Sequence, residues 1–417
     1  MSLLYNIAIS GYGAAIAAAG MFNPKARLFR QGRKGLLEKM AAEVDHSSPI
    51  IWFHCSSVGE FEQARPLIEW YKERCRGYRI LLTFFSPSGY EMRKNYPLAD
   101  WIYYMPLDTA SNARRFLDIV KPQKAVFIKY EFWYNYLHEL RERDIDTYIV
   151  SAIFRPGQTF FKPYGSIFRE MLRSFTALFV QDTQSKELLE TIGIRDNVTV
   201  CGDTRFDRVN QITSSSREFP LIEEFSRDSF TILAGSTWGP DEQILAASVK
   251  NFSKVKLVIA PHEIHREHID KICTIFNGYR TVRYSELEKG NAAISPAEAN
   301  VLIIDCLGIL SSIYRYGSFA YIGGGFGVGI HNILEAATYG IPVAFGPNYS
   351  KFKEARDLIA RRGATSVRSQ EEFYALLDKF VKNPQVRAER GKICLDYVKE
   401  NLGATEKIIG KMENISF

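Results

Sequence analysis

No two cysteines in this 417-residue chain stand in a C-x-x-C spacing; the six present (Cys55, Cys75, Cys201, Cys273, Cys306, Cys394) are scattered. That argues against a zinc ribbon or a disulfide framework and predicts reduced thiols in a cytosolic compartment. Histidine is scarce, seven in all, and only His262, His265 and His268 cluster. Their spacing of three suits a metal on a helix, but Pro261 and the string PHEIH read as a loop, so no metal is expected there. Charge excess is small. A formal +6 over this length argues against a dedicated nucleic-acid binder. Low-complexity tracts and internal repeats are absent, which removes solenoids and disordered scaffolds. The glycine-rich stretch 323–329 contains no complete G-x-G-x-x-G, and no Walker A lysine follows, which weighs against dinucleotide and P-loop sites.

Residues 1–24 lack charge altogether, and LLYNIAISGYGAAIAAAGMF is about long enough to cross a bilayer as a helix. Lys25, Arg27, Arg30, Arg33, Lys34 and Lys39 follow, against the single acid Glu38. Basic residues on one flank keep that flank cytoplasmic and attract anionic lipid. An uncleaved N-terminal membrane anchor over 1–24 is expected, with the body of the protein on the cytoplasmic side.

What the chain does have is alternation. From 49 to about 201, the apolar runs PIIWFH, RILLTFF, WIYYMPL, KAVFIKY, TYIVSAIF, ALFVQD and VTVCG read as strands, with amphipathic helical patterns between them. Such alternation means a parallel sheet covered on both faces. Residues 206–228 are polar, carry a serine run and read as an interdomain linker. A second set then begins with FTILAGS, KVKLVIAP, NVLIID, SFAYIGG and PVAFGP, and ends in a charged helical tail from Gln370. The fold class is therefore α/β: two doubly wound, Rossmann-like domains with a cleft between them. The expected divisions are the anchor 1–24, a first domain 25–205, the linker 206–228 and a second domain 229–417 that includes the C-terminal helices.

Functional residues in such sheets gather in the loops at the carboxyl ends of strands. Glu60 closes the loop SSVGE (56–60) at the start of a helix. There it is either an acid favoured by the helix dipole or a general base. Glu131, in KYEFWYN (129–135), has the same two readings, with a supporting or substrate-binding role favoured. Asp144 and Asp146 spell a D-x-D, but at the amino end of a strand, where a structural role is expected. In the second domain the run SFAYIGGG breaks at Gly323–Gly325, and His331, Asn332 and Glu335 open a helix. Backbone N–H groups there suit a phosphate, and a carboxylate suits ribose hydroxyls. Pro261 with His262, Leu307-Gly308-Ile309, and Asn332-Ile333-Leu334-Glu335 all follow strands and so can line one nucleotide pocket.

Taken together, HCSSVGEFEQARPLI, KYEFWYNYL, SAIFRPGQTFFKPYG, GSTWGPDEQ and GGGFGVGIHNILEAATYGIPVAFGPNYSKFKE resemble the 3-deoxy-D-manno-octulosonic acid (Kdo) transferases. The resemblance runs over nearly the whole chain. It implies a GT-B glycosyltransferase fold and transfer of Kdo from CMP-Kdo to the lipid A precursor at the inner membrane, with inversion. Glu60 takes the place of the catalytic base and Glu131 that of a second conserved acid. Pro261, His262, Leu307 to Ile309 and Asn332 to Glu335 take the places of CMP-binding residues. Where the family has Pro-Arg-His-Pro-Glu, this chain has Pro261-His262-Glu263-Ile264-His265. The missing arginine's role at the phosphate falls to His262 or Arg266. The implied donor carries a single phosphate, so neither a metal nor another cofactor is expected, and the partners are CMP-Kdo, the acceptor lipid and the membrane, without nucleic acid. Arg155, Lys162 and the basic segment 25–39 are candidates for the acceptor's phosphates. Alternatives are a GT-B transferase for another nucleotide sugar, a nucleotide-sugar epimerase, and a lipid-binding protein without activity.

Overall fold

The structure is a computed structural model that describes residues 2–214 and 217–415. Contacts divide the chain into one unit of Met1–Arg208 with Leu402–Phe417 and another of Val209–Asn401. The first holds seven parallel strands: β1 Ile50–Cys55, β2 Arg79–Phe84, β3 Trp101–Tyr104, β4 Lys124–Ile128, β5 Asp146–Ala152, β6 Ala177–Val180 and β7 Val198–Val200. Their order is β3-β2-β1-β4-β5-β6-β7. The order reverses between β1 and β4, so the loops following those two strands flank the crevice in which open α/β sheets bind ligands. β1 is buried along its whole length, as a strand covered on both faces must be.

The second unit repeats the design with β8 Phe230–Thr237, β9 Val255–Pro261, β10 Thr281–Arg283, β11 Val301–Ile303, β12 Phe319–Ile322, β13 Val343–Phe345 and β14 Ala364–Ser366. Its order is β10-β11-β9-β8-β12-β13-β14, again all parallel, with the reversal between β8 and β12. Each unit is thus a Rossmann-like domain, as the alternation predicts.

Three expectations give way. The expected linker is mostly helical, with helices at Thr204–Ser214 and Pro220–Ser226; Ser215 and Ser216 of its serine run lie outside the described residues. Its apolar side chains Phe206, Val209, Ile222 and Phe225 are buried, which a solvated tether would not achieve. The last helix, Ala404–Glu413, belongs to the first unit rather than the second. Asp207 accepts the N–H groups of Gly403 and Thr405, each at 2.7 Å, and so caps that helix from the middle of the sequence. Ile408, Ile409 and Met412 then enter the core around Phe53 and Phe61.

The third concerns the N-terminus. Helix α1 (Ser2–Ala19) forms, but no described helix is long and apolar enough to cross a membrane. Met1 of the expected anchor lies outside the described residues. One face of α1 is fastened to the first unit. Tyr5 donates its hydroxyl to Asp108 at 2.6 Å, and Asn135 donates its side-chain amide to Asn6 at 3.0 Å. Asp108 also accepts the N–H groups of Asn135 and Tyr136, and burial raises its carboxyl to about 6. The opposite face is exposed and apolar: Leu4, Ala8, Gly11, Ala15, Ala18 and Phe22 follow at the three-to-four-residue spacing of a single stripe. The basic segment forms α2 (Pro24–Gln31) and α3 (Leu36–Glu43). Arg33 leaves the expected collar. It donates to the carbonyls of Phe29, Phe85 and Met105, lies over the Phe29 ring, and is lowered by burial to about 10.

Candidate functional site

In the first unit the two expected acids, Glu60 and Glu131, stand beyond the carboxyl ends of β1 and β4. Helix α4 (Val58–Arg74) starts directly after β1, and Glu60 lies in its first turn. Ser57, the residue before the helix, turns its hydroxyl to the Glu60 carboxylate instead of capping the backbone. Glu60 stays partly exposed, as a proton acceptor for an incoming hydroxyl must. Glu131 is different. It is only 6 % exposed, accepts the Trp133 indole N–H at 2.7 Å and meets His54 Nε2 at 3.1 Å. His54 is fully buried, with Nδ1 at 2.8 Å from the Thr83 hydroxyl, which also accepts the Trp52 indole N–H. The carboxylate therefore ends a buried relay and is tied down on one oxygen by two partners. Arg155, exposed beyond the end of β5, and the half-buried Lys162 follow later in the same unit. Asp144 precedes β5 with a φ of 54°, a turn position at the amino end of the strand.

A second set gathers at β8, β9 and β12 of the other unit. Gly323–Gly325 leave β12 and pass close to the backbone of two neighbours: a Cβ at Gly323 would overlap the Ser236 carbonyl, and one at Gly325 the Gly346 backbone. Only glycine permits that approach. Asp241, in the first turn of the helix Gly239–Val249, fixes the loop by accepting the Gly324 N–H at 2.9 Å, the Trp238 N–H at 3.0 Å and the Tyr321 hydroxyl at 2.7 Å. Pro261 ends β9 opposite Thr237, and the His262 N–H returns to the Thr237 carbonyl. The His262 ring stacks on both Trp238, at 4.8 Å between centroids, and His331, at 4.4 Å, the three rings forming one cluster. Trp238 donates its indole N–H to His331 Nε2 at 3.3 Å. Burial, then the neighbouring His262, lower His331 to about 4, and burial also lowers His262, so both rings are neutral.

Asn332 and Glu335 stay together, with the Asn332 amide donating to Glu335 Oε1 at 3.1 Å. The helix does not begin at His331 as expected. It spans only Leu334–Ala337, with Ile333 as its preceding residue and the Asn332 side-chain oxygen Oδ1 accepting the Leu334 N–H at 3.1 Å. One turn carries little dipole, so the glycine loop and side chains are what this site offers a phosphate. Leu307, exposed, and Gly308, at φ 87°, lead to Ile309 and the short helix Leu310–Ile313. That segment is laid against β8: Leu310 and Tyr314 close over Gly235, and the buried Tyr314 hydroxyl feels the Glu335 carboxylate. The three expected nucleotide segments thus come together around β8. Of the two candidates for the missing arginine, His262 stands in the stack, whereas the Arg266 side chain is 94 % exposed.

Spacing alone does not single out Trp238 or Asp241. Their signal is Trp-Gly-Pro-Asp after an apolar run, which marks a helix start with proline in its first turn and an acid directly after it. Glu263, His265 and His268 bring three possible ligand atoms within 4.8 Å of one another. His268 Nε2 is already held by Glu242 at 3.0 Å, and His265 Nδ1 accepts the His268 N–H.

Residues 29–208 match the family model of the 3-deoxy-D-manno-octulosonic-acid transferases (kdotransferases). A 3-deoxy-D-manno-octulosonic acid transferase of Aquifex aeolicus is 28 % identical over 321 residues, covering 75 % of this chain and 80 % of that protein. One of Rickettsia felis is 24 % identical over 352 residues, covering 82 % and 74 %. Among solved structures, UDP-GlcNAc 2-epimerase from Neisseria meningitidis bound to UDP-GlcNAc superposes with a TM-score of 0.62 at 15 % identity, over 88 % of this chain and all of that one. At that identity the likeness is one of fold.

Proposed function

We propose that this chain, a glycosyltransferase belonging to the Kdo transferase family, moves Kdo from CMP-Kdo to the lipid A precursor (lipid IVA) in lipopolysaccharide biosynthesis and releases CMP. The observation that carries the reading is the partly exposed Glu60 carboxylate in the first turn of α4, within the segment that matches the family model. The acceptor's primary hydroxyl gives its proton to Glu60 as its oxygen bonds to the anomeric carbon of Kdo. The bond from that carbon to the phosphate oxygen breaks, and CMP leaves with the electron pair. One displacement with one base inverts the configuration. The leaving group bears a single phosphate, so hydrogen-bond donors suffice for it and no metal is required. His262 and the glycine loop 323–325 serve the phosphate, and Glu335 the ribose hydroxyls. Glu131 is a positioning residue that acts through His54 and Trp133.

The membrane is reached without a spanning helix. Support comes from the exposed stripe on α1 and from Met21 and Phe22 in the turn that follows it, 63 % and 87 % exposed, beside the exposed Lys25, Arg30 and Lys34. An apolar stripe flanked by cations lies in the headgroup region and prefers anionic lipid. A cavity of about 610 Å³ lined by Ile16, Phe29, Leu107, Arg30 and Lys34 offers apolar walls and positive charge together, the two properties of a phosphorylated lipid. The enzyme would thus work on the cytoplasmic side of the inner membrane.

The test is direct. Incubating the protein with lipid IVA and a CMP-Kdo generating system should give lipid products heavier by Kdo units in the mass spectrum. Unchanged lipid, with CMP-Kdo consumed by a known Kdo transferase in the parallel tube, would overturn the reading.

A further inference from the structure

We propose that the second unit holds a separate binding site for a phosphate monoester, beside β14 and apart from the residues assigned to CMP. A cavity of about 710 Å³ opens there. Four arginines reach it: Arg356 from the helix Lys353–Ala360, Arg362 from the turn before β14, Arg368 from the segment after β14, and Arg390 from the helix Pro384–Glu400. Ser350 and Ser366 add hydroxyls.

The charge is uncompensated. Among the described residues none of these four guanidiniums has a carboxylate within ion-pair distance, whereas their neighbour Arg361 pairs with Glu400. The one acid in the lining, Glu372, is turned to the backbone and accepts the Arg368 N–H at 2.8 Å. Among the described residues Arg390 donates to the Thr365 hydroxyl, at 2.8 Å, and lies over the Phe380 ring. Arg362 is held at a φ of 67°, a backbone conformation that a residue with a Cβ rarely adopts. Convergent like charges raise one another's energy, and bringing in an anion removes that cost. Planar guanidinium forks match the oxygens of phosphate two at a time, and four of them suit a dianion better than a single carboxylate. The arginines and the Ser350 and Ser366 hydroxyls are donors that fit the phosphate itself, whether it comes on a soluble sugar or on a lipid headgroup.

The site adjoins the glycine loop without being part of it. The loop Pro347–Ser350 lines the cavity, and its Asn348 exchanges backbone hydrogen bonds with Gly325 and Ile330. An anion held by the arginines would therefore sit one loop away from the proposed CMP phosphate position.

The experiment uses the full chain and binding alone, so its outcome is independent of whether Kdo is transferred. Glucose 1-phosphate is titrated calorimetrically in the presence and absence of saturating CMP. Vesicles of phosphatidylcholine with and without phosphatidic acid are tested by flotation. The same measurements are made on Arg356→Gln, Arg368→Gln and the double variant, with Arg227→Gln, outside the cavity, as the control. Each lost charge-assisted bond should weaken binding about tenfold or more, with CMP affinity unchanged. A loss confined to glucose 1-phosphate assigns a soluble ligand, and a loss of the phosphatidic acid preference assigns a headgroup; either supports the site. Equal binding by wild type and all variants in both arms, or displacement of glucose 1-phosphate by CMP, overturns it. Should the double variant fail to bind CMP, the single variants decide.

Discussion

His54 Nε2 lies 3.1 Å from the Glu131 carboxylate, inside a core where the His54 side chain is wholly shielded from solvent. A carboxylate only accepts, so the imidazole that faces it carries its proton on Nε2 and donates it to Glu131, while Nδ1 meets the Thr83 hydroxyl at 2.8 Å. Glu131→Ala would leave two donors, His54 Nε2–H and Trp133 Nε1–H, without an acceptor. The expected loss is about 1–3 kcal/mol for each, read by urea denaturation. Glu131→Gln keeps an acceptor oxygen and should lose much less stability. Equal stability of the two variants would remove the relay as the reason for this residue.

His331 supplies a pH dependence with a definite sign. Its folded value of about 4 is below the ordinary 6.5, so between these values the unfolded chain binds a proton that the folded chain refuses. Stability from this group is complete above 6.5 and is lost as pH falls towards 4. His331→Asn should therefore flatten the decline in the urea midpoint between pH 7.5 and pH 4.5. Parallel profiles for wild type and variant would show that the ring is not held neutral by its burial against His262.

Glu335 is expected to hold the ribose. Its Oε1 accepts from the Asn332 amide, which holds the carboxylate in place beside the turn before the helix Leu334–Ala337. Glu335→Ala should weaken CMP binding roughly tenfold to a hundredfold, the worth of one or two bonds to a charged acceptor. Wild-type affinity by calorimetry would take Glu335 out of the nucleotide site. Transfer should also persist in EDTA; an absolute need for added magnesium would contradict the metal-free departure of CMP.

How much of this the sequence disclosed follows from range. The other twelve strands are local apolar runs and are readable as such, but β10 (Thr281–Arg283) and β14 (Ala364–Ser366) are short edge strands without such a run. Placing Glu60 and Glu131 needs only the rule that ligands meet carboxyl ends of parallel strands. Their difference in role depends on His54, 77 residues from Glu131. The same limit hides the return of the last helix, which hangs on Asp207 capping Gly403 across 196 residues. It also makes α1 look like a membrane span, since an apolar segment gives no sign that Asp108 and Asn135 hold one of its faces. The supposed linker is misread for a more local reason. Phe219, Ile222 and Phe225 repeat every three residues, a helical signal diluted by the charges around them.

The exposed stripe of α1 can be tested without removing the helix. Leu4→Asp and Ala15→Asp place charge on the outward face, away from Tyr5 and Asn6. Burying a leucine is worth about 1.5–3 kcal/mol, so Leu4→Asp should cut partition to anionic vesicles roughly tenfold or more while the urea midpoint stays put. Raising salt should weaken the remaining binding, because Lys25, Arg30 and Lys34 act through screened charge. Vesicle binding equal to wild type in both variants would show that α1 does not face lipid.

Glu60 carries the reaction in the proposed mechanism, and it can be separated from every binding role. A primary hydroxyl is a poor nucleophile at neutral pH, so its proton must leave as the new bond forms, and general bases contribute about 10²–10⁴-fold. Glu60→Gln keeps the size of the side chain and an oxygen for the Ser57 hydroxyl to bond, but it cannot accept that proton. Transfer should fall by about that factor with CMP affinity unchanged, since the residues proposed for the nucleotide lie in the other unit. Ser57→Ala should cost far less, because it removes an orienting hydroxyl and leaves the base. Product mass spectrometry gives the rate, and calorimetry with CMP gives the affinity. If Glu60→Gln transfers Kdo within a few-fold of wild type, the proton goes elsewhere. Glu131, the other acid at the carboxyl edge of the first sheet, then becomes the candidate despite its burial.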